Sequence, residues 1–424
     1  MEFQLPYGQT KMAVSLPEHL EVFEILPADL PKSGSNREIV RQAIQNPLGT
    51  PPLQSLLTSH SRIIIVIPDK TRNARTDVIL PVLLETIHSN GVPSKQVEFL
   101  FANGSHAKMT DREKQAILGD EIAKAYRFEE HDCSKSSLRY VGTTRRGIPV
   151  RVNNRVLNGD FVIVVGTVVH HYFAGFGGGP KMIVPGVAAC DTITLNHRMA
   201  VMSENSVLHP NCRPGNVVGN AVYEDIEEAF QMVRVDFSFQ VVLDAEHNIQ
   251  AAFAGDTLQA HKKAREIIEK MNRVSIDRKF DCVIVSAGGF PKDLNVIQAH
   301  KAIYNGFQAV KSGGCMIILA ECADGIGSQT FFQWFNYSVL SDMKRAVMDN
   351  YTLNGNTALS LKEKLDQTKM YLISRLEEGL SRKIGFEPVG SFEEAWARAT
   401  SDFKINSVAV LPNGDVTLPE VKIG

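Results

Sequence analysis

Apolar residues fall along this chain in short unbroken runs separated by segments with helical spacing. The runs are Arg62–Ile67, Val97–Phe101, Phe161–Val165, Cys282–Ser286, Cys315–Leu319 and Lys369–Ser374. They are continuous where a half-exposed strand would alternate, so they predict parallel strands covered on both faces. Between them the spacing turns helical. In Asp77–Ser89, the side chains of Ile79, Leu80, Leu83, Leu84 and Ile87 share one face. A helix over about Asp111–Leu118 starts at Thr110 and Glu113, which can form a capping box. The longest, Thr257–Met271, is followed by the polar stretch Asn272–Lys279 and a fresh strand. Segment 138–155, rich in Arg, Gly and Val, predicts a β-excursion. Alternating strand and helix predict an α/β fold of two α/β domains with mainly parallel sheets and a cleft between them. The polar stretch places the boundary, giving residues 1–275 and 276–424 as the two domains.

Composition narrows the class. At 424 residues the chain exceeds one ordinary domain, and 44% hydrophobic with 22% charged residues suits a globular protein with a large core. A net charge of −2 gives no electrostatic footprint for nucleic acid or an anionic membrane. The opening Met-Glu-Phe-Gln-Leu-Pro-Tyr-Gly lacks the basic and apolar regions of a signal peptide. No apolar run nears the ~20 residues that span a bilayer. The six cysteines form no Cys-x-x-Cys pair, which predicts reduced, mostly buried thiols in a cytoplasmic protein.

Open α/β sheets bind ligands outside the carboxyl ends of their strands, so the polar residues that follow each strand form the candidate site. After the first strand come Asp69, Thr71 and Arg72; after the second, His106; after the third, His170 and His171. An aromatic pair, the triple glycine Gly177, Gly178 and Gly179, and then Lys181 follow in one segment, with His197 a short way on. A glycine-rich turn beside titratable groups is how an α/β protein holds a phosphorylated ligand next to reactive side chains. In the second domain Gln298 and Lys301, at i and i+3, share a helix face, and His300 points elsewhere. Each residue has a structural alternative. Asp69 and Thr71 can cap the next helix, Arg72 can pair with Asp69, and a lone histidine is more often a satisfied core or surface group. Joint placement at strand ends outweighs those readings and predicts a catalytic cleft.

These residues carry a family resemblance. Asp69-x-Thr71-Arg72, Asn103-Gly-Ser-His106, His171-x-Phe-Ala-Gly-Phe-x-Gly-Gly-x-Lys181, Asn196-His197 and Gly288-Gly-x-Pro-x-Asp293 with Gln298-Ala-x-Lys301 occur in an order that resembles the nickel-pincer lactate racemase family. The resemblance implies a racemase or epimerase of 2-hydroxy acids that works by reversible hydride transfer. It also implies a nickel ion held in pyridinium-3,5-bisthiocarboxylic acid mononucleotide, with one arm attached to Lys181 and His197 as the protein's ligand to the metal. Soft sulfur donors in a near-planar site suit Ni(II), and a ligating imidazole needs its other nitrogen held by an acceptor. On the same ground His106 and His171 are the acid–base pair, and Arg72, Gln298 and Lys301 hold the substrate. Asp69, Thr71 and the three glycines face the cofactor, the glycines offering backbone N–H groups to its phosphate. Enzymes that synthesise the cofactor and insert nickel are the implied partners.

Elementary chemistry supports such a group. Removing the C2 proton of a 2-hydroxy acid is unfavourable, because the adjacent carboxylate stabilises a carbanion poorly and a base with pKa near 7 is not competent. Removing hydride gives a planar 2-oxo acid that accepts hydride on either face, leaving the protein a hydroxyl proton to move. Two other classes stay open on the residues alone. A zinc- or iron-dependent isomerase or hydrolase would use Asp69, His106, His171 and His197 as ligands, without the usual His-Glu-x-x-His spacing. A non-catalytic nucleotide or cofactor carrier would need only the glycine loop. The chain departs from the lactate-type pattern at Lys70, Pro180, Ile297 and Asn354–Ala358. Lost aromatic walls there, with Asn354, Asn356 and Thr357 seeking partners, predict a substrate larger or more polar than lactate.

Overall fold

The computed structural model describes residues 1–59, 61–201 and 207–422, and the chain divides into two compact units. The first comprises Leu30–Met199 with Asn211–Glu269; the second comprises Met1–Asp29, Ala200–Pro210 and Lys270–Gly424.

A six-stranded sheet organises the first unit, in the order Ile249–Gly255, Phe237–Leu243, Phe161–Thr167, Ile63–Pro68, Val97–Ala102, Arg127–Glu130. Neighbours pair parallel except Ile249–Gly255, which returns antiparallel. Ile63–Pro68 and Phe161–Thr167 are buried along their whole length. Their unbroken apolar runs have this cause: a strand covered on both faces has no solvent side. The helix Thr76–His88 packs Ile79, Leu80, Leu83, Leu84 and Ile87 into the same core. Thr110 and Glu113 form the capping box that opens Asp111–Leu118. The β-excursion is the antiparallel pair Leu138–Thr143 and Pro149–Asn153.

From Ile63–Pro68 the chain builds outward through Val97–Ala102, then crosses to Phe161–Thr167 on the opposite side. That reversal is a switch point, where loops leaving adjacent strand ends diverge and open a crevice. Asp69 leaves one strand there, and His170 and His171 follow the other.

The second unit holds six parallel strands in the order Glu387–Val389, Lys369–Ile373, Val310–Leu319, Phe280–Ser286, Ser407–Leu411, Glu21–Glu24. Residues 1–29 therefore lie with this unit, where a boundary near 275 would leave them with the first. The reason is pairing and burial. Glu21–Glu24 adds the edge strand beside Ser407–Leu411, and Leu5, Val14, Leu16 and Leu20 fill the core. This sheet has its own switch point beside Phe280–Ser286, and at that strand's end the Ser286 hydroxyl donates to Pro6 O in the hairpin of Glu2–Tyr7 and Thr10–Ser15. The Gly8 N–H donates to Asp293 Oδ2 at 2.6 Å, and the Phe290 N–H donates to Gly8 O at 2.7 Å. Asp293 thus clamps the hairpin tip.

Cys133 and Cys190, 57 residues apart, are joined in a disulfide, a correction to the expectation of reduced thiols throughout. The backbone brings them together: the Cys190 N–H donates to Cys133 O at 3.0 Å, and the Cα atoms stand 4.8 Å apart. Cys212, Cys282, Cys315 and Cys322 are free and buried. Among the described residues, no helix is long and apolar enough to cross a membrane.

Candidate functional site

Asp69 stands just past its strand and is 2% exposed. A buried carboxylate needs donors, and it has them. Its Oδ1 accepts from the Thr71 N–H at 3.1 Å and the Thr71 hydroxyl at 2.7 Å, while Oδ2 lies 2.6 Å from His106 Nδ1. Burial pushes this carboxyl up, but His106, then Arg72 and Thr71, outweigh burial and hold it at about 2. An ionised carboxylate only accepts, so His106 carries its proton on Nδ1 and keeps the Nε2 lone pair as a base. Arg72 is braced by Thr71, its Nη1 donating to the carbonyl and hydroxyl oxygens at 3.1 Å each.

Beyond Phe161–Thr167 the chain makes a tight hairpin of His170–His171 and Gly175–Phe176. His170 is buried, with Nε2 2.9 Å from Glu269 Oε1. His171 Nδ1 accepts the Ala174 N–H at 3.3 Å, which leaves the proton of the neutral ring on Nε2. The two histidines are thus set in opposite senses, His106 with its proton on Nδ1 and His171 with its proton on Nε2.

Phe173, inside this hairpin, gathers the remaining groups. Its ring lies 4.6 Å from His171 and 4.9 Å from His197, both edge-on, and Lys181 Nζ stands 5.5 Å from its centroid. Burial, then the charge of Arg72, holds the Lys181 ammonium well below its ordinary value, toward the uncharged nucleophilic amine. Burial, then Lys181 and His106, pulls His197 down to about 3, so its imidazole is neutral. Asp69, Thr71, Arg72, His106, His171, Lys181 and His197 are thus in one unit, tied by contact or charge.

The glycine loop is shaped from within. The Gly177 N–H donates to Val169 O at 2.8 Å, and the Gly179 N–H donates to Gln240 Oε1 at 2.8 Å. Gly177 O in turn lies 2.9 Å from His261 Nε2. Two of the N–H groups expected to cradle a phosphate are already committed inside the protein, so the loop's glycines serve close packing. Gly178 has φ +71°, and a Cβ there would stand 2.8 Å from Thr167 O and 2.9 Å from Gln240 Oε1. Gly178→Ala should lower stability by roughly 1–3 kcal/mol from strain at a left-handed position. Gly147→Ala, at φ +80° with no atom within 4 Å, reports the backbone cost alone. Denaturant unfolding compares them, and equal losses would mean that the loop has room for a methyl group.

Strand-end reasoning misses Phe173, Gln240 and His261. Gln240 lies in mid-strand and His261 on Thr257–Asn272, and the one signal available was a glutamine interrupting an apolar run. In the second unit Gln298 and Lys301 share a face of the helix Val296–Phe307, where Lys301 Nζ donates to Gln298 Oε1 at 2.5 Å. His300 turns instead to Ser360 Oγ at 3.1 Å. The Tyr351 hydroxyl donates to Asn356 Oδ1 at 2.9 Å, and Asn354 Nδ2 donates to Thr330 Oγ1 at 3.1 Å. These amides have partners, which removes the argument that they await a polar substrate. Lys70 is taken up by Glu113 at 2.7 Å. Among the described residues, no three His, Cys, Asp or Glu side chains converge to hold a metal. Asp69, His106, His171 and His197 therefore do not form the ligand set of a protein-only zinc or iron site.

Comparison with known proteins identifies the family. Residues 7–209 match the family described as the lactate racemase N-terminal domain, and residues 274–418 match the lactate racemase C-terminal domain. Lactate racemase of Thermoanaerobacterium thermosaccharolyticum is 34% identical over 342 residues, covering 79% of this chain and 78% of that protein. Lactate racemase of Lactiplantibacillus plantarum is 31% identical over 300 residues, covering 70% and 69%. The solved structure of the T. thermosaccharolyticum lactate racemase apoprotein is similar with a TM-score of 0.87 at 29% identity, over 99% of this chain and 100% of that one. A Thermotoga maritima protein shares the fold at a TM-score of 0.72 and 20% identity, over 93% of this chain and 100% of that one. Matches to both domain families and to two curated relatives over most of the chain lead to one conclusion: this chain is an isomerase belonging to the lactate racemase family.

Proposed function

We propose that the chain racemises or epimerises a 2-hydroxy acid with a nickel-bearing mononucleotide, pyridinium-3,5-bisthiocarboxylic acid mononucleotide. The observation that carries this reading is the grouping of His171, His197 and Lys181 around Phe173. The donor set fits a metal that brings its own ligands. One neutral imidazole beside Lys181 and Arg72 would hold a bare divalent cation poorly, whereas a metal already held by soft donors needs one protein ligand. Lys181 would hold one arm of the group and His197 the nickel. When bound, the group supplies a reversible acceptor for the hydride on substrate C2.

The chain's own residues do the rest. Arg72 offers a planar fork to the substrate carboxylate. His106 accepts the hydroxyl proton of one enantiomer at Nε2, and Asp69 stabilises the resulting imidazolium. His171, edge-on to Phe173 beside His197, is assigned the hydroxyl proton of the other enantiomer. Gln298 and Lys301 are assigned to the substrate oxygens. Enzymes that make the cofactor and deliver nickel are the required partners.

Two measurements test the proposal. Protein produced with the cofactor-synthesis enzymes and nickel should carry an adduct of mononucleotide mass that maps to Lys181. A clean apoprotein mass under those conditions would overturn the cofactor. Substrate deuterated at C2 should yield product that keeps the label; wholesale exchange with water would replace hydride transfer by proton abstraction. The same assay run across lactate and longer 2-hydroxy acids ranks the substrates by kcat/KM, and an absence of turnover with all of them would leave a carrier.

A further inference from the structure

His197 does not stand alone on its helix. It lies near the end of Cys190–Arg198, and Asn196 beside it is fully buried. The Asn196 amide is fixed by the neighbouring helix Ala221–Gln231. Its Nδ2 donates to Val222 O at 3.2 Å and to Asp225 Oδ2 at 2.9 Å, and Asp225 is itself 1% exposed. With both amide hydrogens engaged, Oδ1 has one direction left, and it lies 3.1 Å from His197 Nδ1. An amide oxygen only accepts, so a hydrogen bond there requires the imidazole proton on Nδ1. Nε2 is then the lone pair.

We propose that Asn196 and Asp225 are positioning residues, a buried relay that locks His197 as the Nδ1–H tautomer and presents Nε2 as the donor atom. The proposal rests on reading His197 as the metal ligand. Ligating histidines gain orientation and basicity when the other nitrogen donates to an acceptor, and removing such an acceptor typically costs about 10–100-fold in metal affinity. The relay is built before any metal arrives. An imidazole that spends part of its time with the proton on the ligating nitrogen binds more weakly, its affinity scaled by the fraction in the competent tautomer.

The full-length apoprotein, labelled with ¹⁵N at histidine, reads the tautomer directly by NMR, with no metal or cofactor present. In the native protein His197 should show a protonated, pyrrole-type Nδ1 and a pyridine-type Nε2. Asn196→Leu should abolish that bias, and so should Asp225→Leu, which frees the Asn196 amide to rotate. Asp225→Asn retains an acceptor for Asn196 and should restore the native pattern. Protein loaded with nickel and cofactor should then lose metal about 10–100-fold more readily in the two leucine variants and not in Asp225→Asn. A native His197 protonated on Nε2, or a native pattern that survives in Asn196→Leu, overturns the relay without needing a variant that loads. If the tautomer follows the relay but His197→Ala retains its nickel, the relay stands and the ligand assignment is what fails.

Discussion

Alanine at His106 should slow racemisation by about 10²–10⁴-fold, and alanine at His171 should do the same. His106 also partners the buried Asp69 carboxylate, so the rate is compared under conditions where each variant is fully folded. Enantiomers have equal free energy, so kcat/KM must fall by one factor in both directions whichever histidine is removed. A variant that keeps its rate in both directions would show that its histidine moves no proton. Asp69 adds a pH signature of its own. Its carboxyl is held at about 2 against an ordinary 3.8, so the folded chain binds fewer protons here than the unfolded chain does. The resulting stability, on the order of 2 kcal/mol, is present above about pH 4 and lost as pH falls toward about 2. Asp69→Asn should flatten that part of the acid unfolding curve, and an unchanged curve would mean that the Asp69–His106 pair contributes nothing to stability.

Methionine at Lys181 should abolish the cofactor adduct and reduce turnover to background, yet make the apoprotein more tolerant of acid. Burial, with Arg72 second, disfavours the protonated amine in the folded chain. The unfolded chain therefore binds more protons at this position, and stability rises with pH through the window below the ordinary lysine value of 10.5. Methionine keeps much of the length and drops the charge, which removes the slope. Unfolding midpoints measured against pH, beside intact mass of the loaded protein, read both effects at once. An adduct in the methionine variant would place the attachment elsewhere, and an unaltered pH slope would mean that the Lys181 amine is well solvated.

The central strands are legible in sequence because double coverage leaves no polar alternation to obscure them. Ile63–Pro68 and Phe161–Thr167 are the plainest cases. Phe237–Leu243 is not, since Ser238 and Gln240 break the apolar run although both are buried. Gln240 donates to Ser238 Oγ and accepts from Gly179, so the polar groups are satisfied where no window of sequence shows it. Glu21–Glu24 and Glu387–Val389 are too short to signal, and become strands only through partners elsewhere in the chain. At the site, strand-end placement is enough for Asp69, His106 and His171. Lys181 and His197 need the motif. Asp225 and His261 are out of reach of either, because what defines them is the helix packed next door.

The pairing of Glu21–Glu24 with Ser407–Leu411 sets the order in which the chain can finish folding as it leaves the ribosome. Ile63–Pro68 and Val97–Ala102 are made close together and can pair at once. Glu21–Glu24 is made long before its partner and has no strand to pair with until Ser407–Leu411 exists. Through that interval Val22 stays uncovered, along with the hairpin residues Leu5 and Val14 that later enter the same core. Completion therefore runs against synthesis: a segment made before both central strands of the first unit is placed after them. A chain that stalls short of Ser407 leaves Glu21–Glu24 unpaired, and an unpaired strand edge is the surface that chaperones and proteases are built to meet.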